Sequence, residues 1–187
     1  MTPIATALMG FFILSGTPQA GWASLDVASA PAPVVELPSY TVTMTGYNAV
    51  PAQTDSDPFT TASGAYSNPE LVAARSRDLA DELPFGTVIL VVPAEPTNNC
   101  GLAHVEESVG LRVIADVMHP RMQNKIDVLF DTDDYVKVGG VTRNAARTLG
   151  FCRNVEIVVV GKIDVNKMPK TQEQLVQMMG KELLAMN

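Results

Sequence analysis

Lys125-Ile126-Asp127-Val128-Leu129-Phe130 sets a single carboxylate inside an otherwise apolar run. Six residues of this kind are too few for a stable helix and suit a buried strand, so the aspartate decides how the strand is used. Buried and ionised, such a group is costly unless it is hydrogen-bonded, and its pKa rises, which is the setting of a general acid. The competing reading places the Asp127 side chain on a solvent face or at a loop. Outward from this stretch, Leu111–Ala115 and Thr87–Val92 are further short apolar runs, with Asp116 closing the first. Val155–Val160 reads as the last core strand, and Tyr40–Tyr47 opens the series with alternating β-branched and aromatic residues. Between them, Asn48–Asp57 and Thr60–Gly64 are turn clusters, Pro69–Leu79 a modest helical stretch and Pro93–Gly110 a polar hairpin excursion. Asp131–Arg143 is a polar insertion and Ala145–Leu149 a short helix. Thr171–Met186 spaces Leu175, Val176, Met179, Leu183 and Leu184 helically, predicting an amphipathic helix packed on the rest. Short strands without βαβ alternation argue against a doubly wound sheet and predict a mostly β fold, a small closed barrel of six strands.

The chain has 187 residues, 47% of them hydrophobic and 18% charged, enough apolar surface for one folded core. Thirteen Lys plus Arg against 20 Asp plus Glu give a net charge of −7, which argues against a nucleic-acid partner. Ile4–Leu14 has the length of an export h-region, and Gly21-Trp22-Ala23 offers small residues for cleavage after Ala23. Its competing reading is a core helix or strand. The predicted organisation is a signal peptide over 1–23, a Pro/Ala-rich linker over 24–39, the barrel domain over 40–164 and a C-terminal helix over 165–187. The expected product is exported, periplasmic or extracellular, without a stable membrane span after cleavage, since no apolar run reaches 18 residues. Cys100 and Cys152 are the only cysteines. In an oxidising compartment they would close a loop worth about 3–4 kcal/mol, and the alternative is two buried thiols.

Other chemistries find little support. No Gly-x-Ser-x-Gly occurs, and His104 and His119 have no spacing that pairs them with a nucleophile. Asp131-Thr132-Asp133-Asp134 lacks the glycine and closing glutamate of a calcium loop, and Gly139-Gly140 reads as a turn, so neither metal nor cofactor is expected.

Several segments together resemble the 3D (three-aspartate) domain family, a double-psi β-barrel module of lytic transglycosylases that act on peptidoglycan. Thr45-Gly-Tyr-Asn-Ala-Val-Pro-Ala-Gln-Thr-Asp55 and Thr61-Ala-Ser-Gly64 resemble its opening strand and turn. Ser76-Arg-Asp-Leu79 with Leu83-Pro-Phe-Gly-Thr87 resembles the segment bearing the first aspartate. Asp116 and Asp127 resemble the second and third, and Asn124–Phe130 follows the family pattern closely. The likeness runs from about Thr41 to Val160. One departure is Val117-Met-His-Pro-Arg-Met-Gln123, which stands without a glycine where the family has three, so that bulkier residues either remake the groove or close it.

The resemblance implies that Asp78, Asp116 and Asp127 are the catalytic aspartates, with Asp116 or Asp127 the general acid and Asp78 tuning or positioning. It further implies cleavage of a β-1,4 glycosidic bond without water, the muramic acid C6 hydroxyl attacking its own anomeric carbon, so that one carboxyl serves as acid and then base. Thr61, Ser63, Asn124 and Lys125 are the candidate sugar contacts. The rival expectation is a non-catalytic glycan-binding barrel, which the missing glycines favour and the retained aspartates oppose.

Overall fold

The computed structural model describes residues 36–52, 57–92 and 100–185, with side chains as far as Lys181. The predicted signal peptide and all but the end of the predicted linker lie outside the described residues. Eight strands form: β1 (Ser39–Asn48), β2 (Val72–Arg75), β3 (Thr87–Val91), β4 (Leu111–Val117), β5 (Lys125–Phe130), β6 (Tyr135–Val138), β7 (Val141–Asn144) and β8 (Cys152–Lys162). Helices α1 (Leu102–Val109), α2 (Ala145–Leu149) and α3 (Gln172–Ala185) complete the regular structure of the described residues, with 3₁₀ turns at Arg77–Leu79 and Val165–Lys167. No helix among the described residues is long and apolar enough to cross a membrane.

Six strands close into a barrel in the order β1-β5-β2-β4-β3-β8, and β6 with β7 forms a separate hairpin. β1 runs parallel to β5 and β2 parallel to β4, whereas the remaining barrel pairs are antiparallel. Exchanging β1 with β4, β2 with β5 and β3 with β8 returns the same cyclic order and the same parallel pairs. The fold is therefore mostly β, a closed mixed barrel whose connectivity carries an internal two-fold and is compatible with a double-psi barrel.

Alternation along each strand decides which side chains fill the barrel. Met44, Ala73, Ile89, Ile114, Ile126, Val128, Val155 and Ile157 come from all six strands and form one buried cluster. Leu102, Val105 and Val109 of α1 and Ala145, Ala146 and Leu149 of α2 extend that cluster. A Cβ on Gly46 would stand 2.8 Å from the Phe130 ring and 3.1 Å from the Ala146 Cα, so glycine lets α2 close against β1. Outside the barrel, Leu175 and Met179 of α3 pack with Leu71, Val88 and Val113, as the helical spacing requires. Val176, counted in the same apolar stripe, is instead 54% exposed, and the Leu183 and Leu184 side chains lie outside the described residues.

Two readings of the sequence are corrected. Pro69–Leu79 is not helical: it holds β2, buried throughout between β4 and β5, followed by a 3₁₀ turn. Its alanines favour helix locally, but pairing on both edges decides the outcome. Within Pro93–Gly110 the described part carries α1, with Leu102, Val105 and Val109 buried at helical spacing and Gly110 capping at φ 51°. Residues 93–99 lie outside the described residues. The polar insertion after β5 is the β6–β7 hairpin, Gly139-Gly140 being its turn.

Cys100 and Cys152 are bonded, tying the segment ahead of α1 to the start of β8 across 52 residues. A second tie is Arg112, which is fully buried. Its guanidinium donates to the carbonyls of Val109 (2.5 Å), Pro69 (2.6 Å), Leu129 (3.0 Å) and Ser108, and lies 5.8 Å from the Phe130 ring centre. Burial pushes its pKa down to about 9, still protonated at neutral pH. Replacing Arg112 with Leu orphans four carbonyls and is expected to destabilise the fold by at least about 3 kcal/mol. Urea denaturation read as a midpoint shift at unchanged slope measures this, and a loss under about 1 kcal/mol would contradict the assigned role.

Candidate functional site

Register, more than sequence proximity, assembles the site. Thr45 on β1 pairs with Asp127 on β5, Asp127 pairs with Ala74 on β2, and Ala74 pairs with Asp116 on β4. A register shift between Ala73 and Ala74 leaves Ala115 unpaired and brings Asp116 opposite Ala74. Directly paired residues share a face, and the neighbours Met44, Ile126 and Ala73 point into the barrel, so this row lies on its outer face. Two strand spacings, about 9–10 Å, separate the Asp127 and Asp116 backbones. The side chain between them is the methyl group of Ala74.

The two aspartates live in different surroundings. Asp127 is mostly enclosed and accepts a 2.8 Å hydrogen bond from the Thr45 hydroxyl. Burial, reinforced by the Asp116 charge and opposed by Thr45 and Lys125, pushes its pKa up to about 6. Asp116 accepts from the backbone N–H of Ala62 at 2.9 Å, from its own neighbour Val117 at 2.8 Å and from the Tyr47 hydroxyl at 3.2 Å. Burial and the charges of Asp116 and Asp127 raise the Tyr47 pKa far above its ordinary value, so the phenol stays a donor. Tyr47 packs with Val72, Ala115 and Leu129, which brings its hydroxyl from β1 across to Asp116 on β4.

A groove of about 460 Å³ opens beside Asp116, walled by Tyr47, Thr60, Ala62 and Val117–Pro120. Asp57 and Arg77 also border it. The glycine-free stretch after Asp116 thus supplies one wall and leaves the groove open. Asp127, two strands from Asp116 in the row, is not among the residues that line this groove.

The other predicted residues lie outside this row. Asp78 is exposed in the 3₁₀ turn after β2 and accepts from the Asn124 backbone N–H at 2.8 Å. Desolvation raises its pKa, but the Ser76 hydroxyl, the Asn124 N–H and the Arg75 charge bring it below the ordinary value. Asn124 has φ 48°, and its side chain donates to the Thr41 carbonyl, so it shapes the entry to β5. Thr61 is buried; its hydroxyl donates to the Ala65 carbonyl and lies 3.0 Å from the Ser63 hydroxyl. That turn presents the Ala62 N–H to Asp116. Lys125 is half-buried, its ammonium 4.9 Å from the Phe151 ring centre.

No known family model matches the chain, and no curated protein does. Among the described residues no cluster of three or more His, Cys, Asp or Glu is placed to hold a metal ion. The row carries one carboxyl whose pKa is pushed up to about 6 and a second that accepts three hydrogen bonds. Tyr47, Ala62 and Ala74 escaped the sequence reading because each enters through register or a turn contact.

Asp127 binds its proton more tightly in the folded chain than at its ordinary value of 3.8, so the folded state holds more protons between about pH 4 and 6. Stability conferred by that proton is full below pH 4 and is lost as pH rises through about 6, by up to about 3 kcal/mol. Chemical denaturation across this window is expected to show the decline, and Asp127→Asn is expected to flatten it. An unchanged slope in the variant would assign the pH dependence elsewhere.

Proposed function

We propose that this protein is an exported peptidoglycan lytic transglycosylase built on a double-psi β-barrel, periplasmic or extracellular, using Asp127 as its general acid and base. The observation that carries the reading is the row joining Asp127, with its raised pKa, to Asp116 beside an open groove. Two carboxyls held in unlike environments divide the acid and charge-stabilising roles. The resemblance of the motif segments to the 3D domain and the barrel connectivity support the same reading.

In the proposed reaction Asp127 gives its proton to the glycosidic oxygen as the bond from that oxygen to the muramic acid C1 breaks. Positive charge developing at the ring is stabilised by Asp116, which Tyr47 and the Ala62 N–H hold in place. The muramic acid C6 hydroxyl then bonds to C1 and returns its proton to Asp127, giving a 1,6-anhydro product with no water consumed. Asp78 acts at a distance, holding the Asn124 entry to β5 and thereby the placement of Asp127. A second reading, a non-catalytic glycan-binding barrel, is favoured by one feature: Asp127 is held by Thr45 and does not line the groove.

Incubation of the purified protein with peptidoglycan, followed by mass analysis of released fragments, separates the two. Anhydro-muropeptides are expected from the parent protein, with a rate that falls as pH rises through about 6. Asp127→Asn should lower release at least 10³-fold and Asp116→Asn about 10²-fold, both remaining folded. Glycan binding without any anhydro product would support the non-catalytic barrel.

A further inference from the structure

The polar insertion after β5 builds a second concave surface, at the far end of β1. A hollow of about 720 Å³ lies between the β6–β7 hairpin, α2 and the residues that follow Tyr47. Tyr135 pairs with Asn144 and Lys137 with Thr142, so Tyr135, Thr142 and Asn144 share one face of the hairpin and all border the hollow. Arg143 of β7 and Arg147 of α2 border it as well. Its walls are tied to one another. The Asn144 side chain accepts from the Ala146 and Arg147 backbone N–H groups and donates to the Thr132 carbonyl, joining α2 to the turn after β5. The Asn48 side chain donates to the Phe130 and Asp131 carbonyls and holds the end of β1 to the same turn.

That turn separates charge. Asp131 and Asp134 border a different hollow, together with Glu70 and Glu107, whereas the hollow beside α2 has two arginines and no acidic residue among the described residues that line it. On a chain of net charge −7 this is a local reversal of sign. Both asparagine amides are spent on the scaffold, but the Arg143 and Arg147 guanidiniums and the Tyr135 and Thr142 hydroxyls have no partner among the described residues. Tyr135 is 58% exposed, so its ring is open to a ligand. The number of donors selects the anion. One guanidinium fork already occupies both oxygens of a carboxylate, whereas a phosphate monoester has three terminal oxygens and a charge of about −1.5 to −2 at neutral pH, enough for two guanidiniums and a hydroxyl.

We propose that this hollow binds a small phosphate monoester, Arg143, Arg147 and the Thr142 hydroxyl taking the phosphate oxygens and the Tyr135 ring covering the organic group. No residue of the Asp127 row lines the hollow, so the ligand is separate from the proposed reaction and its binding does not depend on that reading.

The test is a ¹⁵N NMR titration of the purified protein with phenyl phosphate, inorganic phosphate and benzoate. Saturable shifts at Tyr135, Thr142, Arg143 and Arg147 are expected with phenyl phosphate, and benzoate is expected to bind about tenfold more weakly or not at all. Arg143→Gln and Arg147→Gln, both at exposed positions and checked for an unchanged melting temperature, should each weaken phenyl phosphate about tenfold. Tyr135→Ala should bring phenyl phosphate down to the affinity of inorganic phosphate. Arg153→Gln, which removes an exposed guanidinium that lies beside the Phe151 ring and outside the hollow, should change nothing. Benzoate binding as tightly as phenyl phosphate would overturn the phosphate assignment. Shifts confined to other residues, or an equal loss in Arg153→Gln, would overturn the site. Vesicles of phosphatidylglycerol and phosphatidylcholine give the last arm: binding through both arginines without any binding of phenyl phosphate would replace the small ligand with a lipid headgroup and overturn the proposal.

Discussion

A barrel of only six strands closes around its core with two parallel pairs, β1 with β5 and β2 with β4, and the antiparallel contact of β2 with β5 joins them. This contact is the constraint from which the site follows. It lies where the internal two-fold relates one half of the barrel to the other, and the row Thr45, Asp127, Ala74 and Asp116 crosses it. The exchange that maps β1 onto β4 and β2 onto β5 places Thr45 where Asp116 stands and Asp127 where Ala74 stands. Equivalent positions have thus acquired unlike side chains. One carboxyl meets the Thr45 hydroxyl, the other the Tyr47 hydroxyl and two backbone donors, so unlike surroundings arise in a symmetric frame.

The same closure demands that buried polar groups be satisfied by the backbone. Arg112 and Arg75 do this on the paired strands β4 and β2, each donating to carbonyls and lying near an aromatic ring. A buried guanidinium without a carboxylate is tolerable because its planar fork reaches several carbonyls at once. Arg112 thereby joins the end of α1, the turn before β2 and the end of β5. The carboxylates are left to the outer face, free of internal cationic partners that would lower the Asp127 pKa further.

The sequence reading reached the elements whose signal is local. Lys125–Phe130 and Ala145–Leu149 appear with the predicted bounds, and the Cys100–Cys152 bond forms where two cysteines suggested one. β2 was hidden because its apolar part, Val72-Ala73-Ala74 ahead of Arg75, is too short to show a periodicity that separates strand from helix. α1 was hidden among acidic residues, although Leu102, Val105 and Val109 hold helical spacing. Within the site, Asp127 was legible because a lone acid in an apolar strand is conspicuous. Tyr47, Ala62 and Ala74 were not, since their places depend on which strands pair, on a turn contact and on where two of the barrel's three register shifts fall.

Those two shifts do related work. The one between Ala73 and Ala74 sets Asp116, in place of Ala115, opposite Ala74. The one between Val42 and Met44 keeps Cys152 and Val155 inward and gathers Phe151 and Arg153 outside with Lys125. A regular ladder would alternate through both places and send one residue of each set to the wrong face. Carboxylates and cations consequently occupy neighbouring rungs of one surface, with Lys125 between them and within electrostatic reach of Asp127. Such a surface has a direction. The cations stand toward one end of it and the carboxylates toward the other, so the bulges that set the faces also set the direction of its charge.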